Sequence, residues 1–159
     1  MEQKTFSIWL KCIIIATGIC GLVIYALVVP SLGQVIVDKY PEFSHCYTPW
    51  LILIWISGIP CYAVLVLAWR IASNIGRDRS FSTENAVYLK WISILATGDA
   101  LAVFAANIIM LCLSMNHPGI VLLSLVIVFI GIAISVISAA LSHLVNKAAD
   151  LQEQSELTI

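Results

Sequence analysis

Charged residues are scarce in this sequence: they make up 11% of its 159 residues, whereas 61% are hydrophobic. A water-soluble domain carries roughly 25% charged residues and keeps much of its surface in water, so this apolar excess has no place in such a fold. The formal net charge is −1, which supplies no basic field and excludes direct nucleic-acid binding. The composition therefore predicts an integral membrane protein in contact with a lipid bilayer.

Sequence patterns of known enzymes and metal sites are also missing. The chain contains no HExxH, P-loop, GxSxG or CxxC pattern, and its three histidines are scattered. Four of the five cysteines lie within apolar runs, where cysteine behaves as a small hydrophobic residue, and only Cys46 falls in a polar connection. We therefore expect no cofactor, no metal site and no enzymatic activity.

Long apolar runs are what the sequence has instead. A membrane-spanning helix needs about 20 apolar residues, and four runs qualify: about 8–30, 50–69, 91–113 and 119–142. They lack the alternation of barrel strands, so helices are predicted, because only helices and closed barrels satisfy their backbone groups in lipid. The expected fold is all-α: a single-domain membrane four-helix bundle over residues 1–159, with helices three and four extended into the cytoplasm.

Lysine and arginine are distributed unequally between the two sides of the predicted membrane domain. Cytoplasmic loops of membrane proteins carry an excess of these residues. One side has only Lys39, whereas the side with both termini has the remaining seven: Lys4, Lys11, Arg70, Arg77, Arg79, Lys90 and Lys147. We predict that both termini face the cytoplasm, together with the corner formed by residues 70–90.

The corner contains a polar stretch, RDRSFSTEN, between two apolar runs. Ser82 is placed to accept a hydrogen bond from the backbone N–H near Asn85, and Glu84 suits the positive end of the helix dipole. Helix three is therefore predicted to begin in the cytoplasm. After the fourth span, residues 143–159 continue without glycine or proline, which predicts a C-terminal helix that projects into the cytoplasm.

Asp99 is the acidic residue inside a predicted span. It lies roughly 12 Å past Trp91 at 1.5 Å per residue, where a carboxylate costs about 2.5–3.5 kcal/mol. Lys11 and His143, near the cytoplasmic ends of helices one and four, are its candidate partners, and Asn107 lies two turns further along helix three. Two interpretations stay open: a structural pair that joins helices, or a proton or cation site.

Small residues recur at a spacing that suits helix packing. Gly131, Ser135 and Ala139 lie four residues apart on helix four, and such repeats let two helices approach closely. This pattern fits a tight bundle and equally fits the face of a homo-oligomer.

The order of three short motifs resembles a known family. The corner SFSTENAVYLKWI, the turn NHPGIVL and the end AADLQEQSELTI are similar to those of small bacterial four-span membrane proteins called domain of unknown function 2975. The matching positions lie in the corner and the tail: Phe81, Ser82, Asn85, Leu89, Glu156, Leu157, Thr158 and Ile159. The resemblance covers nearly the whole chain. Because genes of this family lie beside Xre-type helix-turn-helix regulators, it implies a regulatory or sensing role.

The leading hypothesis is a non-enzymatic membrane protein that senses a membrane condition or a ligand and acts on a cytoplasmic regulator. The predicted partner surface could face a basic DNA-binding protein and consists of Ser82, Glu84, Asn85, Glu153 and Glu156. The alternative is a small transporter, or an immunity-type protein that protects against a membrane-active compound, with Asp99 as its intramembrane polar site. A membrane enzyme ranks third.

Overall fold

The computed structural model describes residues 3–116 and 118–157, and nearly all of them are helical. In chain order the elements are α1 (Gln3–Val23), a π-helical turn (Ile24–Val28), α2 (Val29–Lys39), a 3-10 helix (Pro41–Cys46), α3 (Tyr47–Ile75), α4 (Thr83–Cys112) and α5 (Pro118–Leu157). Neither of the two described ranges contains a strand. The predicted all-α class is confirmed.

Four helical segments of the described chain are long and apolar enough to cross a membrane: Gln3–Lys39, Pro41–Ile75, Thr83–Cys112 and Gly119–Ser155. Many of their large apolar side chains face outward; Ile59 and Phe129, for example, are 69% and 72% exposed. Apolar surface of this extent is favourable against lipid and unfavourable against water. The predicted architecture of four membrane helices is therefore confirmed.

The first span is longer than the predicted 8–30. The elements α1, π-turn and α2 run on without a break as one rod, which we call the first rod (Gln3–Lys39). Pro30 would ordinarily kink such a helix, because its ring clashes with the carbonyl four residues earlier. The π-turn directly before it widens the helix, and the Val29 N–H donates to the carbonyl of Ile24, five residues back.

The π-turn leaves one carbonyl without a partner in its own helix. In the same five-residue pattern, the Tyr25 carbonyl would need an N–H from Pro30, and proline has none. A backbone carbonyl without a partner costs several kcal/mol in lipid. The neighbouring helix satisfies it: the indole N–H of Trp55, on α3, donates to the Tyr25 carbonyl oxygen at 3.1 Å.

The spans pack in chain order. The first rod contacts α3, α3 contacts α4, and α4 contacts α5 over the most extensive interface, whereas α1 and α5 do not touch within the described residues. The helices thus form an open row, in which α3 and α4 each have a neighbour on both sides. The outermost helices keep one flank open to the bilayer or to another molecule.

Small and hydroxyl side chains line the interface between α4 and α5. The α5 residues at this interface recur every three or four positions and include one larger residue, Val128. They are Ser124, Val128, Gly131, Ser135, Ser138 and Ser142. The Ser135 hydroxyl lies 3.0 Å from that of Ser93, and a Cβ added at Gly131 would lie 3.2 Å from the Ala100 Cβ. The predicted close packing is found at Gly131 and Ser135. The third member of the repeat, Ala139, is exposed and lies outside this interface.

Both α4 and α5 extend at the end of the molecule where α1 begins and the corner lies, which we call the termini side. α4 begins after Ser82, whose hydroxyl accepts a hydrogen bond from the Asn85 backbone N–H at 3.3 Å, as predicted. α5 has 40 residues and is about 60 Å long at 1.5 Å per residue. Ser142 donates to the carbonyl of Ala86, in the first turn of α4, at 2.7 Å, so the last turns of α5 extend past the start of α4.

Candidate functional site

The corner is organised around one buried amide side chain, that of Asn85, which is 2% exposed. Its Nδ2 donates to the carbonyl oxygens of Arg79 at 3.1 Å and Ser80 at 3.0 Å, and its Oδ1 accepts from Asn74 Nδ2 at 2.9 Å. The three bonds connect the end of α3, the turn 76–82 and the first turn of α4. The corner is therefore an ordered structure rather than a free loop.

Asn74 closes the same network from α3. It is 7% exposed, and its Nδ2 also lies 3.3 Å from Glu84 Oε2. Its backbone carbonyl accepts from the N–H groups of Arg77 and Arg79. Asp78 has a positive φ of 61°, a conformation that aspartate and asparagine tolerate better than most residues. These contacts explain how a seven-residue turn reverses the chain at the termini side.

The first rod is docked onto the corner. The buried Ser7 hydroxyl donates to the carbonyl of Ala72 at 2.6 Å, and a Cβ added at Gly76 would lie 2.7 Å from the Ser7 oxygen. Only glycine permits this approach. Nearby, the Arg70 guanidinium lies 5.8 Å from the centre of the Tyr88 ring, which joins α3 to α4. Three of the four spans therefore meet at the corner.

The predicted partner surface is only partly exposed. Asn85 holds the corner together from inside, so its predicted place on a contact surface is wrong. Ser82 is partly exposed and acts as the helix cap, and Glu84 is exposed at the start of α4. Glu153 is exposed on α5, whereas the side chain of Glu156 lies outside the described residues, as do His117, Thr158 and Ile159.

The part of α5 that follows Ser142 has an apolar face. Leu144 and Leu151 are 60% and 58% exposed, one heptad apart on the same side of the helix. Asn146 and Glu153 lie on a different face, and Asn146 Nδ2 is 3.4 Å from Asp150 Oδ2. An exposed leucine face of this kind suits contact with another surface.

Asp99 has a different partner from those predicted. Its Oδ2 accepts a hydrogen bond from the Ser57 hydroxyl of α3 at 3.0 Å. The bond joins the second and third spans, whereas the expected pair would have joined the first and third. Among the described residues, no lysine, arginine or histidine forms an ion pair with this carboxylate.

The other three residues of the predicted polar site are dispersed. Lys11 Nζ lies 5.2 Å from the centre of the Trp69 ring, where the aromatic face attracts its charge. His143 is exposed on α5. Asn107 is buried and accepts from Asn116 Nδ2 through its backbone oxygen at 3.1 Å and its Oδ1 at 3.2 Å, in the turn after α4. The predicted pairing of Asp99 with Lys11 or His143 is wrong.

A polar cluster that sequence reasoning missed surrounds Asp99. We define it as Tyr25, Ser57, Cys61 and Asp99, which come from the first three spans. The Tyr25 hydroxyl lies 3.9 Å from Cys61 Sγ, and Cys61 lies one helical turn after Ser57 on α3. The sequence offers no local indication of this cluster, because Tyr25, Ser57 and Cys61 each lie within an apolar run. No metal-binding group of three or more His, Cys, Asp or Glu residues occurs within the described ranges.

Four apolar helices with outward-facing hydrocarbon and a polar, ordered corner define a helical integral membrane protein. Residues 31–159 match the family described as "Protein of unknown function (DUF2975)", and the chain belongs to that family. The resemblance noted in the corner and the tail is thereby confirmed.

A curated relative matches the chain from end to end. It is the "Uncharacterized membrane protein YoaS" of Bacillus subtilis (strain 168), which is 26% identical over 159 residues, with 99% of each chain covered. No solved structure matches. The relative is described as a membrane protein, in agreement with the four apolar helices.

Proposed function

We propose that the protein is a non-enzymatic membrane sensor that acts on a soluble partner in the cytoplasm. In this proposal both termini and the corner lie inside the cell, as the distribution of lysine and arginine predicts. The partner is an Xre-type helix-turn-helix regulator, the class that the family resemblance implies. It contacts the exposed residues of the corner and the projecting part of α5.

The observation that carries the proposal is the construction of the termini side. The Ser7–Ala72 bond ties the first rod to the corner, and Asn85 ties the corner to α3 and α4. A shift of the first rod in the membrane would therefore act on the corner, and the C-terminal part of α5 is joined to the first turn of α4 by the bond from Ser142 to Ala86. The exposed Leu144 and Leu151 provide an apolar contact area on one face of the same part of α5.

Co-purification with a purified Xre-type regulator from the same genome tests the proposal. We expect the full chain in detergent to retain the regulator and a chain without residues 148–159 to lose it. Leu151→Glu should weaken retention, because it places a charge on the apolar face. Asn146→Glu adds the same charge on another face and serves as the matched control. Equal retention by all four chains, or by none, contradicts the proposal.

A second candidate function, a small transporter or immunity-type protein, is favoured by one observation. Asp99 lies within a span and bonds to a neutral serine hydroxyl, and an acidic group in such a place is suited to exchange a proton or a cation. Vesicles with a trapped pH-sensitive dye test this function. It predicts proton flux that Asp99→Asn abolishes and that Asp150→Asn, on the tail, leaves intact; the sensor proposal predicts no flux for any of these chains.

A further inference from the structure

A cavity of about 220 Å³ lies on the side of the molecule opposite the termini. It is open on one side and is lined by α2, the 3-10 helix, the start of α3, the turn after α4 and the first turns of α5. Residues that line it include Val37, Cys46, Tyr47, Trp50, Met115 and Leu123. Elements from the first rod and from α5, which do not touch on the termini side, thus both contribute to this one space.

The few polar side-chain atoms of the lining contact other groups of the same chain. The Trp50 indole N–H donates to the Met115 carbonyl at 3.4 Å, and the Tyr47 hydroxyl donates to the Pro30 carbonyl at 3.4 Å. Cys46 Sγ lies 3.3 Å from a ring nitrogen of His45. What faces the cavity is hydrocarbon and aromatic carbon, so the cavity recognises an apolar group and offers nothing to a polar one.

Size and position indicate which apolar group. An apolar cavity of about 150 Å³ stays dry and accepts a molecule as large as benzene, so the present cavity has room for a longer hydrocarbon segment. Two of its lining residues, Leu32 and Leu123, are 57% and 63% exposed on the surface that faces lipid. The cavity is therefore continuous with the protein–lipid interface, where hydrocarbon chains are always present.

We propose that this cavity is a binding site for one acyl chain of a bilayer phospholipid. The chain enters between α2 and α5 and packs against Cys46, Trp50 and Met115. The acyl chain is then the ligand that the proposed sensor detects. Only this link to sensing rests on the proposed function; the binding site itself does not. Because α2 follows the π-turn, an occupant at this position touches the part of the first rod beyond its irregular turn.

Photo-crosslinking tests the site. The full chain is reconstituted in phosphatidylcholine vesicles that contain a phosphatidylcholine with a diazirine in one acyl chain, and labelled residues are mapped by tandem mass spectrometry. Lipids at the outer surface of the helices reach Leu122, which is 67% exposed, but not Cys46, which is 3% exposed. We expect Cys46 to be labelled as well as Leu122.

Two variants of α2 sharpen the experiment. Val37→Phe places a ring in the cavity and should abolish labelling of Cys46 while labelling of Leu122 persists. Val35→Phe is the matched control, since Val35 is 61% exposed on the same helix and does not line the cavity.

Absence of label on Cys46 in the unchanged chain overturns the proposal, whether or not the variants fold. Equal labelling of Cys46 in Val37→Phe and the unchanged chain also overturns it. Labelling by a diazirine-bearing free fatty acid alone would assign the cavity to a different ligand and so contradicts it. None of these outcomes involves the regulator, so the acyl-chain site and the sensor proposal can fail separately.

Discussion

The hydroxyl of Ser57 donates to the carboxylate of Asp99 at 3.0 Å, between the second and third spans. An acidic side chain within an apolar helix is thus matched by a small donor on the adjacent helix. Tyr25 and Cys61 complete a cluster that connects three spans. The bond between Ser57 and Asp99 therefore helps to specify the pairing of α3 and α4.

Removal of this donor should loosen the pairing of α3 and α4. We expect Ser57→Ala to lower the free energy of unfolding by about 1 kcal/mol, the usual size of a hydrogen bond between membrane helices. Unfolding by sodium dodecyl sulfate, followed by circular dichroism, measures the change. Ser73→Ala is the control, because the Ser73 hydroxyl donates to Trp69 in its own helix. Equal effects of the two substitutions would contradict the assigned role.

The contact between Trp55 and the Tyr25 carbonyl can be tested by a double substitution. Trp55→Phe removes the indole N–H and should destabilise the protein by roughly 1–3 kcal/mol, since a carbonyl loses its donor. In a Pro30→Ala background the backbone regains an N–H near that carbonyl, and the same substitution should cost less. Trp91→Phe, at a 52% exposed position, controls for the loss of an indole. An equal cost of Trp55→Phe in both backgrounds would count against the π-turn account.

Asn85 should be the most sensitive residue of the corner. Asn85→Asp keeps the shape but turns a carboxylate oxygen toward the carbonyls of Arg79 and Ser80, where the amide had donated. We expect a loss of stability of about 1–3 kcal/mol and faster hydrogen exchange in residues 76–82. Glu84→Gln removes the adjacent charge but keeps an oxygen that can accept from Asn74 Nδ2, so it should leave exchange slow. Unchanged exchange in Asn85→Asp would show that the corner is ordered by other contacts.

Two glycines on neighbouring helices give a matched pair for the α4–α5 interface. A Cβ at Gly131 would lie 3.2 Å from the Ala100 Cβ, whereas a Cβ at Gly98 meets nothing within 4 Å. Gly131→Leu should destabilise the protein by roughly 1–3 kcal/mol through overpacking. Gly98→Leu should be neutral or stabilising by up to about 1 kcal/mol, because leucine is the better helix former. The reverse order of the two effects would contradict the interface.

Local chemistry explains what could be predicted from the sequence. The cap at Ser82 depends on residues three positions apart, and the length of α5 depends on an unbroken run without glycine or proline, so both could be predicted and are confirmed. The four spans follow from the length and the apolar character of four continuous runs in the sequence.

Side-chain contacts that depend on how the chain folds could not be predicted from neighbouring residues in the sequence. The partner of Asp99 is a serine within an apolar run, and nothing in its neighbourhood in the sequence marks it. Charge favoured Lys11, but Lys11 lies against the Trp69 ring at the α1–α3 contact. Asn85 looked like a surface residue because its neighbours in the chain are polar, yet the turn folds back so that Asn74, Arg79 and Ser80 bond to its side chain and bury it.

The side of the membrane on which the corner and the tail lie is the premise of the account, and cysteine labelling measures it directly. The five native cysteines are replaced, and single cysteines are introduced at the exposed positions Glu42, Arg77 and Glu153. With a membrane-impermeant maleimide on intact cells, the account predicts labelling at position 42 alone, and labelling at 77 and 153 only after permeabilisation. Labelling of position 77 or 153 in intact cells would contradict it.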